Sequence, residues 1–223
     1  SCERAGVKLA VMLQRRLFNN TQALEKVVKQ NLLGRLSRID YTLEVNKKNE
    51  YYRGWRGQRN TAGGGVLLCQ GLHDLDRILS MVGGFSILSA DLRTVRPGIT
   101  VEDWAQVGLQ RADGTIFSIT ATTNGQKEWS GEITITGTEG KITIDAERTL
   151  EWNVLGIPVP RPNQKEITGL PAYYDPGHEL IIADFLHAIQ EKRDSCSSGR
   201  STLPALKVLF EIYDQATFPT GSD

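Results

Sequence analysis

"EITITGTEGKITID", Glu132 to Asp145, is the stretch on which the fold turns. Isoleucine alternates with threonine on both sides of Gly137-Thr138-Glu139-Gly140, so Ile133 and Ile135 answer Ile142 and Ile144 once the chain reverses. A period of two with a glycine-bearing turn at its centre is the pattern of an antiparallel hairpin. The opposite faces are rich in threonine, fit for solvent or for packing against a second copy of the same sheet.

The same alternation recurs outward from this hairpin. "TIFSITATT" sets Phe117, Ile119 and Ala121 against Ser118, Thr120 and Thr122, and "SRIDYTLEV" sets Ile39, Tyr41, Leu43 and Val45 against Arg38, Asp40, Thr42 and Glu44. The pattern reads as β from Phe85 to about Leu155. Helices flank it. Asn20 can cap one that runs to about Leu33, with Leu24, Val27, Val28 and Asn31 on one side and Gly34 as its stop. Leu68, Leu72, Leu75, Leu79 and Val82 lay one apolar stripe along a helix over residues 66–82. After a proline-rich connection, "HELIIADFLHAIQEKR" is expected to bury Leu180, Ile181, Phe185, Ala188 and Ile189. "STLPALKVLFEIYDQAT" takes Ser201 as N-cap, with Pro204 in its first turn. Helix, strand, helix, a run of strands and two helices predict an α+β fold: a large, mostly antiparallel open sheet with helices on one face.

Composition narrows the function. In 223 residues, 26 basic side chains balance 26 acidic ones. A neutral chain lacks the basic footprint of a nucleic-acid binder, and no apolar run reaches the roughly 18 to 20 residues that span a bilayer. Neither nucleic acid nor membrane is an expected partner, and no signal-peptide pattern opens the chain. Cys2, Cys69 and Cys196 are odd in number, far apart and free of CxxC spacing. They argue against a disulfide framework and a zinc site, and for a reducing, cytoplasmic setting. The opening "SCERAGVKLAVML" reads as the end of a helix, a stop at Gly6 and a short apolar strand, which is how an αβ unit finishes. A preceding segment is therefore expected.

Chemistry concentrates in "GGGVLLCQGLHDLD", Gly63 to Asp76. His73 lies off the leucine stripe, and on its own line, at minus four and plus three, lie Cys69 and Asp76. A carboxylate one turn from an imidazole fixes its tautomer and stabilises its protonated form, which suits proton transfer. Three glycines before it would let a ligand approach the backbone. The plainer alternative has Asp76 and Arg77 solvated, His73 half buried and the glycines merely turning the chain. Upstream, "NKKNEYYRGWRGQRNTAGGG" reads as a loop over a site, in which Arg53, Trp55, Arg56 and Arg59 form a basic, aromatic lip suited to an anionic or sugar-like group, with a solvated loop as the equal alternative. His178, Glu179, Asp184 and His187 share a helix without the HExxH spacing and read as capping and surface residues. No G-x-S-x-G elbow, P-loop or GxGxxG occurs.

"AGVKLAVMLQRRL", "LLGRL", "W-R…GGGVLLCQGLHDLD", "ITITGTEGKITID" and "HELIIADFLHAIQEK", in that order over essentially the whole chain, resemble one family. It is the glucose–fructose oxidoreductase, inositol dehydrogenase and rhizopine catabolism protein family, Gfo/Idh/MocA. The resemblance implies a two-domain oxidoreductase dependent on NAD or NADP, whose N-terminal Rossmann domain binds the cofactor. Its C-terminal α+β domain binds the substrate and forms a homo-oligomer through the sheet. Residues 15–223 would be that C-terminal domain, and residues 1–14 a remnant of the nucleotide domain. The family's catalytic histidine falls on His73 and its following aspartate on Asp76. Where many members carry Asp, and others Asn, this chain has Cys69. The family's catalytic lysine belongs to a Glu-Lys-Pro segment of the nucleotide domain. The expected site is then His73, Asp76 and Cys69 in catalysis, with Arg16, Arg53, Trp55, Arg56 and Gln70 around a sugar, cyclitol or related polyol; no metal is expected. The alternative, favoured by Cys69, is a non-catalytic oligomeric binding or scaffold member.

Overall fold

The alternating stretches become β1 (Leu36–Asn46), β2 (Phe85–Arg93), β3 (Trp104–Arg111), β4 (Ile116–Thr122), β5 (Asn124–Gly137), β6 (Lys141–Asp145) and β7 (Arg148–Asn153). The structure is a computed structural model and describes residues 1–163 and 177–216. Its seven strands form one open sheet in the order β2-β3-β4-β1-β5-β6-β7. Each neighbouring pair is antiparallel except β1 and β4, which run parallel at the centre. In the hairpin Ile133 lies opposite Ile144, and Ile135 opposite Ile142.

One face of the sheet is the core. Ile39, Tyr41, Leu43 and Val45 are buried there beside Val107, Leu109, Phe117, Ile119, Ile133 and Ile135. The helices α1 (Asn19–Lys29), α3 (Leu72–Met81) and α5 (Gly199–Gln215) contribute Leu24, Val27, Leu75, Ile78, Leu79, Leu209 and Ile212 to the same cluster. Between α1 and α3 the chain makes two 3₁₀ turns and the single turn α2 (Arg59–Ala62). The helix α4 (Gly177–Gln190) packs instead near the 3₁₀ turn Gln14–Leu17. On the far face of the sheet Arg38 pairs with Asp40 at 2.7 Å and Thr134 with Thr143 at 3.1 Å. The α+β architecture is the one predicted.

Local expectations needed correction. Asn20 does not cap α1: it is 1% exposed, and its side chain donates to the Ala146 carbonyl at 2.9 Å, so Phe18 takes the cap position without a side-chain bond. That helix ends at Lys29, and Asn31 turns into the left-handed region. In α4 only one side packs. Ile181 and Ala188 are buried, whereas Leu180 and Ile189, expected inside, are 40% and 48% exposed along with Ile182 and Leu186. The N-cap of α5 is Ser198, which accepts from the Ser201 N–H at 3.2 Å. Pro204 therefore sits one turn deeper than predicted. At the N-terminus, Gly6 makes a left-handed turn, but the apolar residues after it form no full strand. Ala10 makes one antiparallel bridge with Ser198. The proline-rich connection and the end of the last predicted helix lie partly outside the described residues.

Candidate active site

The helix predicted over residues 66–82 starts as a π-helix, Val66–Gly71, and narrows to the α-helical α3 at Leu72. A π turn is wide, with i→i+5 bonds, and is frequent at functional sites. Glu102 organises its mouth. The carboxylate accepts the Gly65 N–H at 2.8 Å and the Leu67 N–H at 3.2 Å, and the Glu102 carbonyl accepts the Val66 N–H at 2.9 Å. The Tyr213 hydroxyl, from α5, donates to the same carboxylate at 2.7 Å. Burial pushes the Glu102 carboxyl above its ordinary value, and these donors oppose that rise.

The glycines serve this arrangement. Gly63 takes a left-handed φ of 79° to end α2. A Cβ on Gly64 would strike the Tyr213 hydroxyl, and one on Gly65 would strike the Glu102 backbone. Their close approach is to this chain's own Glu102 and Tyr213, not to a ligand as the sequence suggested. In the chain's one triple-glycine stretch the Gly63 and Gly65 N–H groups are thereby taken by Arg59 and Glu102, whereas a dinucleotide phosphate needs such groups free at a helix N-terminus.

The acidic residues after His73 are not solvated, as the plainer reading would have it. Asp74, Asp76 and Arg77 are each 0% exposed. Asp74 accepts from Arg15 at 2.5 Å, from Arg77 at 3.0 Å and from the Tyr41 hydroxyl at 3.3 Å. Burial pushes the Asp74 carboxyl up, but Arg15 and Arg77 outweigh it and hold it below the usual carboxylate range. Asp76 is gripped by Arg16, Nε to Oδ2 and Nη2 to Oδ1, both at 2.6 Å. The Arg16 guanidinium also donates to the Cys196 carbonyl at 2.8 Å and the Ser201 carbonyl at 3.0 Å. This arginine, expected among the substrate-binding residues, ties the N-terminal segment to α3 and α5.

His73 is half buried on the first turn of α3, between Gln70 and Asp74. Gln70 Nε2 donates to the Tyr51 hydroxyl at 2.6 Å. The Tyr51 ring carries the Lys47 ammonium at 5.1 Å and the Arg56 guanidinium at 5.2 Å, and Arg56 also lies 4.6 Å from the Trp55 ring centre. Lys47 reaches on to Trp129, at 6.0 Å, and Arg15 lies over the same indole at 5.3 Å while holding Asp74. Gly131 admits this group: a Cβ there would lie 2.9 Å from Asp74 Oδ2. Contacts thus run from Gln70 through Tyr51, Lys47, Trp129 and Arg15 to Asp74, flanking the turn that bears His73.

Of the predicted site residues, the structure gathers Gln70, Trp55 and Arg56 around Tyr51. Arg53 turns away, 78% exposed in its side chain and 3.6 Å from Glu50. Cys69 donates its thiol to the Gly64 carbonyl at 3.5 Å, because the π turn breaks the 3.6-residue spacing assumed between it and His73. Burial, and then the Glu102 carboxylate, push that thiol up, so it stays protonated. Asp184, predicted to cap, accepts the Cys196 N–H at 2.8 Å. Sequence reasoning missed Lys47, Tyr51, Trp129 and Arg15. Lys47 and Tyr51 lay within the loop already singled out, but Arg15 and Trp129 sit in segments with no spacing signal.

A family model, the GFO/IDH/MocA C-terminal domain, matches residues 21–143. The chain belongs to this family. Among solved structures, the GFO/IDH/MocA fold is matched by the WlbA dehydrogenase from Bordetella pertussis, in complex with NADH and UDP-GlcNAcA. It shares 25% identity at a TM-score of 0.80, over 96% of this chain and 62% of that one. Aldose-aldose oxidoreductase from Caulobacter crescentus, complexed with glycerol, matches at 22% identity and a TM-score of 0.75, over 96% and 63%. An oxidoreductase from Agrobacterium radiobacter, in complex with NAD+, L-tartaric acid and magnesium, matches at 18% and 0.73, over 96% and 64%. The chain thus spans less than two thirds of the length of these proteins. No curated protein matches it in sequence.

Proposed function

We propose that the chain is the substrate-binding and catalytic domain of an NAD- or NADP-dependent oxidoreductase acting on a sugar, cyclitol or related polyol, with His73 as the proton acceptor. The observation that carries this reading is the placement of His73 at the junction of the π turn and α3. In sequence it lies three residues after Gln70, which holds the Tyr51 hydroxyl, and one before Asp74, which Arg15 holds beneath Trp129. The matched structures from Bordetella and Caulobacter, a dehydrogenase with a nucleotide sugar and an oxidoreductase with glycerol, support the reaction class. In this reading the hydride acceptor is held outside the described residues, and residues 1–14 are the end of the domain that holds it. What the residues here do is bind a hydroxyl-bearing substrate and take its proton. The imidazole suits that task because its charge changes near neutral pH. Asp76 acts through position: locked by Arg16, it fixes the α3 turn next to the histidine.

Two accompanying proposals follow the same reading. The polar sheet face, with a trough of about 770 Å³ lined by Arg38, Asp40, Asp91 and Gln106 among others, is the surface on which a second copy packs. Three unpaired cysteines support a reducing, cytoplasmic setting; among the described residues no helix is long and apolar enough to cross a membrane.

A second reading, a non-catalytic binding or scaffold module, is favoured by Cys69, whose protonated thiol cannot act as a carboxylate would. Assay of the full-length oxidoreductase with a panel of sugars and cyclitols, followed by nicotinamide absorbance, separates the two. Turnover that falls at least 100-fold in His73→Asn supports catalysis. Absence of turnover on every polyol tested, or turnover indifferent to His73→Asn, removes it.

A further inference from the structure

We infer that the site beside His73 recognises an anionic oxygen group, a carboxylate or a phosphate, on its sugar-type substrate, and that Lys47 is the residue that selects it. This rests on the proposed substrate site at His73 and names the class of ligand that site takes.

The argument begins with charge. Lys47 and Arg56 converge on one aromatic ring, that of Tyr51, at 5.1 and 5.2 Å. Each cation gains only about 0.5–1 kcal/mol from such a ring contact at an accessible site, far less than a matched carboxylate or phosphate would supply. The carboxylates of this neighbourhood are matched elsewhere: Glu50 with Arg53 at 3.6 Å, Glu44 with Lys127 at 4.0 Å, Asp103 with Arg96 at 4.0 Å, and Asp74 with Arg15 and Arg77. Among the described residues, no carboxylate lies within 4.0 Å of Lys47 or Arg56 to complete a salt bridge. An excess of positive charge therefore gathers around Tyr51, which is hydrogen-bonded to Gln70 in the π turn that leads to His73.

Lys47 is also held. Its carbonyl accepts from Arg96 Nη2 at 2.7 Å, and the same guanidinium binds the side chains of Asn49 and Asn124 and lies over the Tyr52 ring at 5.2 Å. The Lys47 N–H donates to the Thr123 carbonyl at 3.0 Å. With its backbone fixed by two hydrogen bonds and its ammonium held over the Tyr51 and Trp129 rings, the half-buried Lys47 has little freedom, and preorganised cations bind anions with less entropic cost. The rings supply the other half of a sugar-acid site, since an indole or phenol face packs against the apolar face of a pyranose.

Tryptophan fluorescence reads the prediction directly, because Trp129 and Trp55 lie in the cationic cluster. The chain is titrated with D-glucuronate, D-glucose 6-phosphate and D-glucose. The expected result is saturable quenching by one or both anionic sugars at least tenfold tighter than by glucose, and weakened as salt rises. Lys47→Met is expected to lower the anionic affinity about tenfold while leaving the response to glucose unchanged, and Lys47→Arg to retain it. Preference for glucuronate identifies a carboxylate and preference for the phosphate ester a phosphate. Equal affinity for all three sugars, quenching by none, or anion binding untouched by Lys47→Met overturns the inference. Binding is read without turnover, so a chain that discriminates anions yet shows no His73-dependent oxidation sinks the catalytic reading alone. The converse result sinks only the anion site.

Discussion

Arg16 and Asp76 lie on segments 60 residues apart, yet they meet in a two-pronged ion pair with both N···O distances at 2.6 Å. The Asp76 side chain is 1% exposed and that of Arg16 10%. Inside a low-dielectric interior such a pair contributes little net stability, but removing one partner leaves a buried charge alone.

Arg16→Ala is accordingly expected to cost about 3–5 kcal/mol of stability in urea unfolding. The double replacement Arg16→Met with Asp76→Leu should recover most of that loss. An Arg16→Ala protein as stable as the parent would mean that the arginine is free for a ligand, as the sequence alone suggested.

Asp74 predicts an acid response. Its folded pKa is depressed, so its stabilising contribution is present above the ordinary carboxylate value of 3.8 and is lost as pH falls through the lower folded value. Unfolding free energy measured from pH 5 to pH 2 should drop more steeply for the parent than for Asp74→Asn. Parallel slopes would count against the pairing with Arg15 and Arg77.

Glu102 and Tyr213 hold the π turn open from two elements. Tyr213→Phe removes one bond to a buried carboxylate and should cost about 1–3 kcal/mol. Gly65→Ala drives a methyl group into the Glu102 backbone and should cost about 1–3 kcal/mol or more. Thermal melting ranks them against Gly98→Ala. Gly98 has a φ of 80°, where alanine is strained, but its Cβ would meet nothing within 4 Å, whereas Gly65 has a φ of −109° and a Cβ that would clash. A Gly65→Ala protein no worse than Gly98→Ala would remove the close-approach explanation.

The polar sheet face predicts self-association. Sedimentation at tens of micromolar should show a species of at least twice 24.7 kDa, and reversing charge in Arg38→Glu should shift it toward monomer. A monomer alone, at concentrations where interfaces of standard size persist, would reject the face as an interface.

The sheet was legible because its signal is local and repeated. Isoleucine at every second position of β5 and β6 fixes which face is buried, and a slip of one residue would expose all of it. Helix existence was equally plain, while helix ends were not, because caps respond to distant partners. Asn20 looks like an N-cap until Arg77 and Ala146 claim its side chain. The apolar look of α4 did not say which side would be covered. At the site, His73 and Gln70 were visible from one stretch. The π turn was invisible, since Glu102 imposes it from more than 30 residues away. That one insertion breaks the helical line on which Cys69 and Asp76 had been assigned to the histidine. The burial of Asp74, Asp76 and Arg77 was likewise hidden, because their partners Arg15 and Arg16 lie about 60 residues upstream.

The most direct test of the proposed role of His73 compares His73→Ala with Leu75→Ala in the full-length protein, following turnover and unfolding on the same samples. Leu75 is 1% exposed in the core cluster, so its truncation should cost about 2–5 kcal/mol. His73 is half buried on the first turn of α3, three residues after Gln70, so His73→Ala should lower turnover by about 10²–10⁴-fold, with cofactor affinity unchanged and little loss of stability. A His73→Ala protein that keeps near-parental turnover, and melts as Leu75→Ala does, would show that the imidazole is packing rather than chemistry.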